Sequence, residues 1–189
     1  MPISKINLTS GITGTMPVAN GGTGLASGTS GQFLKFTGST TVASAAVDAK
    51  LGQVINAQFG YVQTNSTSFT DTGLTADITP SATSSKVLVL CSLVGCYVTA
   101  ENTCLISRLV RGSTEILQTE SIGGYTGNSN EIGYGGSSAA SYLDSPSTTS
   151  ATTYKIQFAT RVSNNVSIGN WQSGSERGKS TITLIEVLA

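Results

Sequence analysis

KVLVLCSLVGCYV, residues Lys86 to Val98, contains the longest apolar run in the chain, broken by Ser92, Gly95 and Tyr97. It is too short to cross a membrane as a helix and reads as a long, mostly buried strand. Upstream, QVINAQFGYVQ (53–63) reads as one strand and SFTDTGLTADI (68–78) as a second. Alternation in the second at Phe69, Leu74 and Ile78 is broken by a turn or bulge at Gly73, and Pro80 to Ser85 is a turn. Downstream, Thr103 to Thr119 holds two strands joined at Arg111-Gly112-Ser113, a short hairpin signal. Ser121 to Gly136 is a Gly/Asn-rich loop, and Ala139 to Leu143 is a strand. Thr153 to Val162 alternates Tyr154, Ile156 and Phe158 against Lys155 and Gln157, and Val166 to Trp171 is a short strand. STITLIEVL (180–188) closes the chain, alternating on Ile182 and Leu184 or on Thr183, Ile185 and Val187. If that strand is buried, Ile185→Asp abolishes folding. About eight strands, frequent turns and no long helix argue for a sandwich or jelly roll.

Composition agrees. Ser and Thr number 54 and Gly 22 of 189 residues, while charged residues are 11% against a usual quarter. Strand-forming Thr, Val, Ile and Tyr alternate with turn-forming Gly, Ser and Asn. A formal net charge of zero argues against a phosphate-binding surface, so no nucleic acid is expected. Met1 to Gly11 lacks the apolar segment of a signal peptide, so synthesis in a cytoplasm is expected, with no membrane insertion. The three cysteines, Cys91, Cys96 and Cys104, are too few for a disulfide framework and read as buried thiols. Cys91 and Cys96 are five apart, which on a regular strand turns them to opposite sides.

The chain divides near Ala49 to Gly52. Residues 1–50 carry four charges and two sparse apolar stripes, Ile3, Ile6, Leu8 and Ile12, then Leu25, Phe33, Leu34 and Phe36. Neither stripe encloses a core against about 1–2 kcal/mol of backbone entropy per ordered residue. This part is therefore expected to be held by a partner or by copies of itself, and residues 51–189 to form the β-sandwich.

Candidate chemistry is sparse. The chain has no histidine, which removes the usual Ser-His triad and the commonest metal ligand. The pairs Ser4-Lys5 and Ser85-Lys86 read as solvated turn residues. Asp71 and Asp77 share a face of an unbroken strand but nothing accompanies them toward acid–base work. GGTG (21–24) lacks the GK[ST] of a phosphate loop. No catalytic residue, metal or cofactor is expected. Tyr125, Tyr134 and Trp171 are the candidates for contact with a host-surface glycan or protein, since an exposed aromatic offers apolar area with a polar handle; capping the sandwich core is the alternative for Trp171.

PVANGGTG (17–24) resembles a segment recurrent in bacteriophage fibre and other virion appendage proteins. There it follows an S/T-G-T-x stretch, here Thr13 to Met16, and precedes G-T-x-G-Q-x-L, here Gly28 to Leu34. The C-terminal part, from GLTADITPSATSSKVLVLCS through TTYKIQFA to STITLIEVL, is more loosely similar to C-terminal domains of phage structural proteins. The resemblance implies an all-β homotrimer with an extended Gly-rich N-terminal stem and a jelly-roll head. Pro17, Asn20, Gly21, Gly22 and Gly24 would serve particle attachment and the trimer stem: proline fixes an extended segment, and glycines let backbones approach around a three-fold axis. It implies a virion protein assembled in the bacterial cytoplasm, partnered by tail, portal-proximal or capsid proteins. Two functions follow, a short host-adhesion fibre or a capsid decoration (cement) protein. A capsule-degrading enzyme needs a larger body and an acid pair in a groove, so none is expected.

Overall fold

The computed structural model describes residues 29–39, 41–46, 49–98, 100–122, 125–127, 134–169 and 178–189, with the backbone alone at 120–122 and 134. It divides into two compact units, Met1–Ala49 and Lys50–Ala189. Among the described residues every helix-or-strand element is a strand.

In the first unit, β1 (Phe33–Phe36) and β2 (Val42–Ala45) form an antiparallel hairpin within the segment read as an extended stem, with Phe33 opposite Ala45 and Phe36 opposite Val42. The Thr37 amide donates to the Thr41 carbonyl at 3.0 Å to close it. Phe33, Leu34 and Phe36 are exposed.

The second unit contains β3 (Leu51–Phe59), β4 (Val62–Thr64), β5 (Thr70–Ile78), β6 (Lys86–Val98), β7 (Leu105–Arg111), β8 (Thr114–Ile122), β9 (Tyr134–Asp144), β10 (Thr152–Thr160), β11 (Val166–Ile168) and β12 (Ser180–Val187). One sheet has the order β5-β10-β7-β8. In the other, β9 lies along one edge of β6 from Val87 to Val98. β12 pairs with β6 over Lys86 to Ser92, and β11 pairs with it at Tyr97 and Val98. A strand has two edges, so β12 and β11 share the second in line. β3 and β4 follow them, paired to β12 and β11 respectively. Taking β3/β4 and β11/β12 as single positions leaves eight, in the orders 1-8-3-6 and 2-7-4-5. That is the double Greek key of a jelly roll.

Period-2 alternation fills the interior. β5 turns Leu74, Ala76 and Ile78 inward, β6 Val87, Val89, Cys91 and Leu93, β10 Tyr154, Ile156 and Phe158, and β12 Ile182 and Leu184. Burying each large apolar side chain contributes about 1.5–3 kcal/mol. On β12, Ile185 points out of the sandwich and is half-buried. The expectation that a buried last strand makes Ile185 a core residue is thus corrected: β12 is internal to its sheet, but the other parity faces the core.

Glycine explains two departures from simple alternation. Gly95 has φ +62° and lies where the β6–β9 register shifts between Leu93 and Cys96. The extra residue of this bulge resets the phase, so Cys91 and Cys96 both face the core, contrary to the reading from their spacing. All three cysteines are free and buried. Gly73 has φ +87°, and a Cβ there would stand 2.5 Å from the Phe59 ring. Its missing side chain lets Phe59 close over β5.

Candidate functional site

Pro17, Asn20, Gly21, Gly22, Gly24 and Trp171 lie outside the described residues. So do the phosphate-loop candidate at 21–24 and the pair Ser4-Lys5. Tyr134 opens β9, where the backbone alone is described. Of the sequence-derived contact residues, Tyr125 has a described side chain.

Tyr125 is exposed. Its hydroxyl donates to Asn102 Oδ1 at 3.4 Å, and the Arg161 guanidinium stands 5.5 Å over its ring, within cation–π range. The next residue anchors it: Thr126 is buried, and its hydroxyl donates to the Ala100 carbonyl at 2.6 Å while accepting from the Thr103 amide at 3.1 Å. Beneath lies a 2.7 Å contact between the buried Thr103 and Thr160 hydroxyls. Three connections, β6–β7, β8–β9 and β10–β11, thus meet at one end of the sandwich. They present an aromatic ring, a cation and an amide held by buried polar groups.

The outer face of the β5-β10-β7-β8 sheet is charged and paired. Asp71 accepts from Gln157 Nε2 at 2.6 Å and from Lys155 Nζ at 3.0 Å, and these bonds, Gln157's first, hold its carboxyl below the usual range. Arg108 bonds Gln157 and Glu115, at 2.8 and 2.9 Å, and lies 4.1 Å over the Phe69 ring. Asp77 accepts from the Thr153 hydroxyl. Asp71 and Asp77 do share the outward face of β5, and each is engaged by its neighbour on β10. Ser85 is buried and Lys86 exposed at the start of β6.

The outer face of the opposite sheet carries an apolar row. Val54, Ile185, Leu88 and Leu143 are successive partners across β3, β12, β6 and β9, and directly opposed residues share a face. Leu51 and Val187 pair on one side of this row, and Leu90 stands on the other. Val54 is 60% and Leu143 49% exposed. Lys86, opposite Val187, is the one charge in these rows.

Two buried acids escaped the sequence reading. Asp144 accepts from Arg111 Nη1 at 2.8 and 2.7 Å and from Tyr154 Oη at 2.6 Å. Glu186 accepts from the Ser81 amide and hydroxyl, each at 2.6 Å, and from the Gln53 amide at 3.4 Å. The Ser81 hydroxyl bond leads in lowering its pKa to about 2, against the desolvation that opposes it. Among the described residues the buried Ser85 hydroxyl closes no hydrogen bond. A Cβ at Gly52 would stand 2.4 Å from Glu186 Oε2, so glycine leaves space for the carboxylate. The signal for Glu186 was its parity with Ile182 and Leu184. Between the sheets, a cavity of about 20 Å³ beside Cys91, Ser107, Leu117, Thr119, Ser138 and Ala140 has room for about one water.

No family model matches the chain, and no curated protein matches it. Solved structures similar to it include the VP2 subviral particle of infectious bursal disease virus, at 14% identity and a TM-score of 0.34, covering 82% of this chain and 42% of that one. The structure of the Gt strain of that virus is similar at 13% identity and a TM-score of 0.35, with the same coverage. This chain therefore spans about two-fifths of the length of the chains it matches. Its pairing defines it as an all-β protein with a jelly-roll sandwich.

Proposed function

We propose that this protein is a non-enzymatic structural component of a bacteriophage virion. It is a short trimeric fibre, attached to the particle through its N-terminal segment and displaying the sandwich outward for host-surface adhesion. The observation that carries this reading is the closed jelly roll: its two inward faces fill each other, so its distinctive chemistry lies outside. The Tyr125–Arg161–Asn102 group at the loop end is suited to an outward contact with a glycan or protein. The PVANGGTG resemblance supports the assignment to a phage particle. Capsid decoration is the second reading, favoured by the apolar row, because a shell-seated protein needs a broad apolar underside.

Immunogold labelling of the particles whose genome carries this gene tests the reading. Label at tail tips supports the fibre, and label over the head supports decoration. Particles without label overturn both.

A further inference from the structure

The two outer faces of the sandwich differ in kind. One is covered by the ion-paired network of Asp71, Lys155, Gln157, Arg108 and Glu115, which is at home in water. The other carries Val54–Ile185–Leu88–Leu143 as a row across four strands, flanked by Leu51–Val187 and by Leu90. With strands about 4.8 Å apart and same-face neighbours about 7 Å apart along each, these seven apolar side chains cover about 240 Å². The extent of this patch is ordinary for a monomer; what sets it apart is that it is continuous across four strands and exposed at Leu51, Val54, Leu90 and Leu143.

The patch runs into a sheet edge that is unpaired among the described residues. Among the described residues no strand pairs with β9 on the side away from β6. From Gly135 to Ser141 the edge reads GGSSAAS, with no charge and no proline. Natural sheets blunt such edges with lysine, proline or a covering element. Small residues instead admit a neighbouring backbone closely. Leu143, on the same strand, joins this edge to the apolar row.

We propose that the outer face of the β3-β12-β6-β9 sheet, with the β9 edge beside it, is where copies of this chain meet. The proposal deepens the trimeric reading above and rests on it for copy number alone. A second copy is the occupant that the chemistry favours. The face offers a charged partner nothing to pair with beyond Lys86 at its margin, whereas around a three-fold axis the apolar face of one copy meets the uncharged β9 edge of the next. Formal net charge is zero, so copies do not repel one another, and the ion-paired opposite face directs association to one side. About 240 Å² is under a third of the roughly 800 Å² that each partner contributes to a standard interface. The patch thus serves as the apolar centre, with Asn56, Thr183, Gln58, Thr181 and Ser92 as its polar rim.

Light scattering on the full chain and its variants tests this. The unmodified chain should have a multiple of the 19.3 kDa mass. The double variant Val54→Lys/Leu143→Lys should fall to one chain while keeping a cooperative melt. Thr75→Lys, which adds a charge to the exposed outer side of β5, should keep the parent mass. If the double variant does not fold, Val54→Lys alone decides, and it should weaken association at least about tenfold, the effect of 1.4 kcal/mol. A single-chain mass for the unmodified protein overturns the proposal and leaves the face to another occupant such as a shell protein; so does a folded Val54→Lys/Leu143→Lys protein with the parent mass. No particle enters this measurement, so its failure and that of the labelling experiment are separate.

Discussion

Tyr154 Oη donates to Asp144 Oδ2 at 2.6 Å, and this bond ties one sheet of the sandwich to the other. Asp144 ends β9, while Tyr154 on β10 and Arg111 on β7 belong to the opposite sheet. Tyr154 is wholly buried, so its hydroxyl has no water to fall back on. Tyr154→Phe should cost about 1.5–3 kcal/mol, the range for a hydrogen bond to a charged group. Asp144→Ala should cost more, because it leaves the buried Tyr154 hydroxyl unpaired, about 1–3 kcal/mol, and removes the ion pair of the partly exposed Arg111 as well. Urea unfolding of both variants checks the order, and equal losses would show that Arg111 does not depend on Asp144.

The same tyrosine carries an alkaline prediction. Burial, and then the Asp144 carboxylate, raise its pKa above the ordinary 10.0. The folded state holds the proton more tightly than the unfolded one, so the contribution is complete below about pH 10 and is lost as pH rises beyond it. Stability should fall in that range, and Tyr154→Phe should flatten the fall. Unfolding free energies at pH 9 and pH 11 read the difference.

Glu186 sets the acid limb. Its pKa is lowered from 4.5 to about 2 by the Ser81 and Gln53 bonds, so its contribution is complete above about pH 4.5 and is lost as pH falls toward 2. At about 1.4 kcal/mol per unit this is up to about 3 kcal/mol. Glu186→Gln should destabilise the protein at pH 7 and reduce the dependence between pH 5 and pH 2, leaving the share carried by Asp71. A variant with the parent slope would place the titration elsewhere.

Much of the sandwich was legible because period-2 alternation is a local signal. β6, β10 and β12 fall where Lys86–Val98, Thr153–Val162 and Ser180–Leu188 placed them. The hairpin turn falls at Gly112-Ser113, between β7 and β8. What alternation does not encode is phase after a bulge, and Gly95 put Cys96 on the same face as Cys91 against their odd spacing. β9 starts at Tyr134 rather than near Ala139 because GGSS, poor in strand propensity, is held by pairing with β6, which no local pattern announces. Asp144 was illegible as a buried acid because its partners Arg111 and Tyr154 lie on other strands, and parity placed Glu186 inward without announcing its partner Ser81 in the β5–β6 turn. Burial of Cys91 and Cys96 pushes each thiol up to about 12. Neither should react with a thiol reagent at pH 8 until the chain unfolds; fast labelling of the native protein would contradict their placement.

Leu184 and Ile185, adjacent on β12, separate the core from the outer face. Leu184 is fully buried between the sheets, while Ile185 lies half-buried on the outside, between Val54 and Leu88. Leu184→Ala should cost about 2–5 kcal/mol through lost burial and the cavity left behind, and Leu184→Asp should prevent folding by burying an unpaired charge. Ile185→Asp should leave a folded sandwich with a modest loss of stability, because its carboxylate can reach water. Circular dichroism melts of the three variants decide it. Loss of the cooperative transition in Ile185→Asp alone would reverse the assignment of faces on β12.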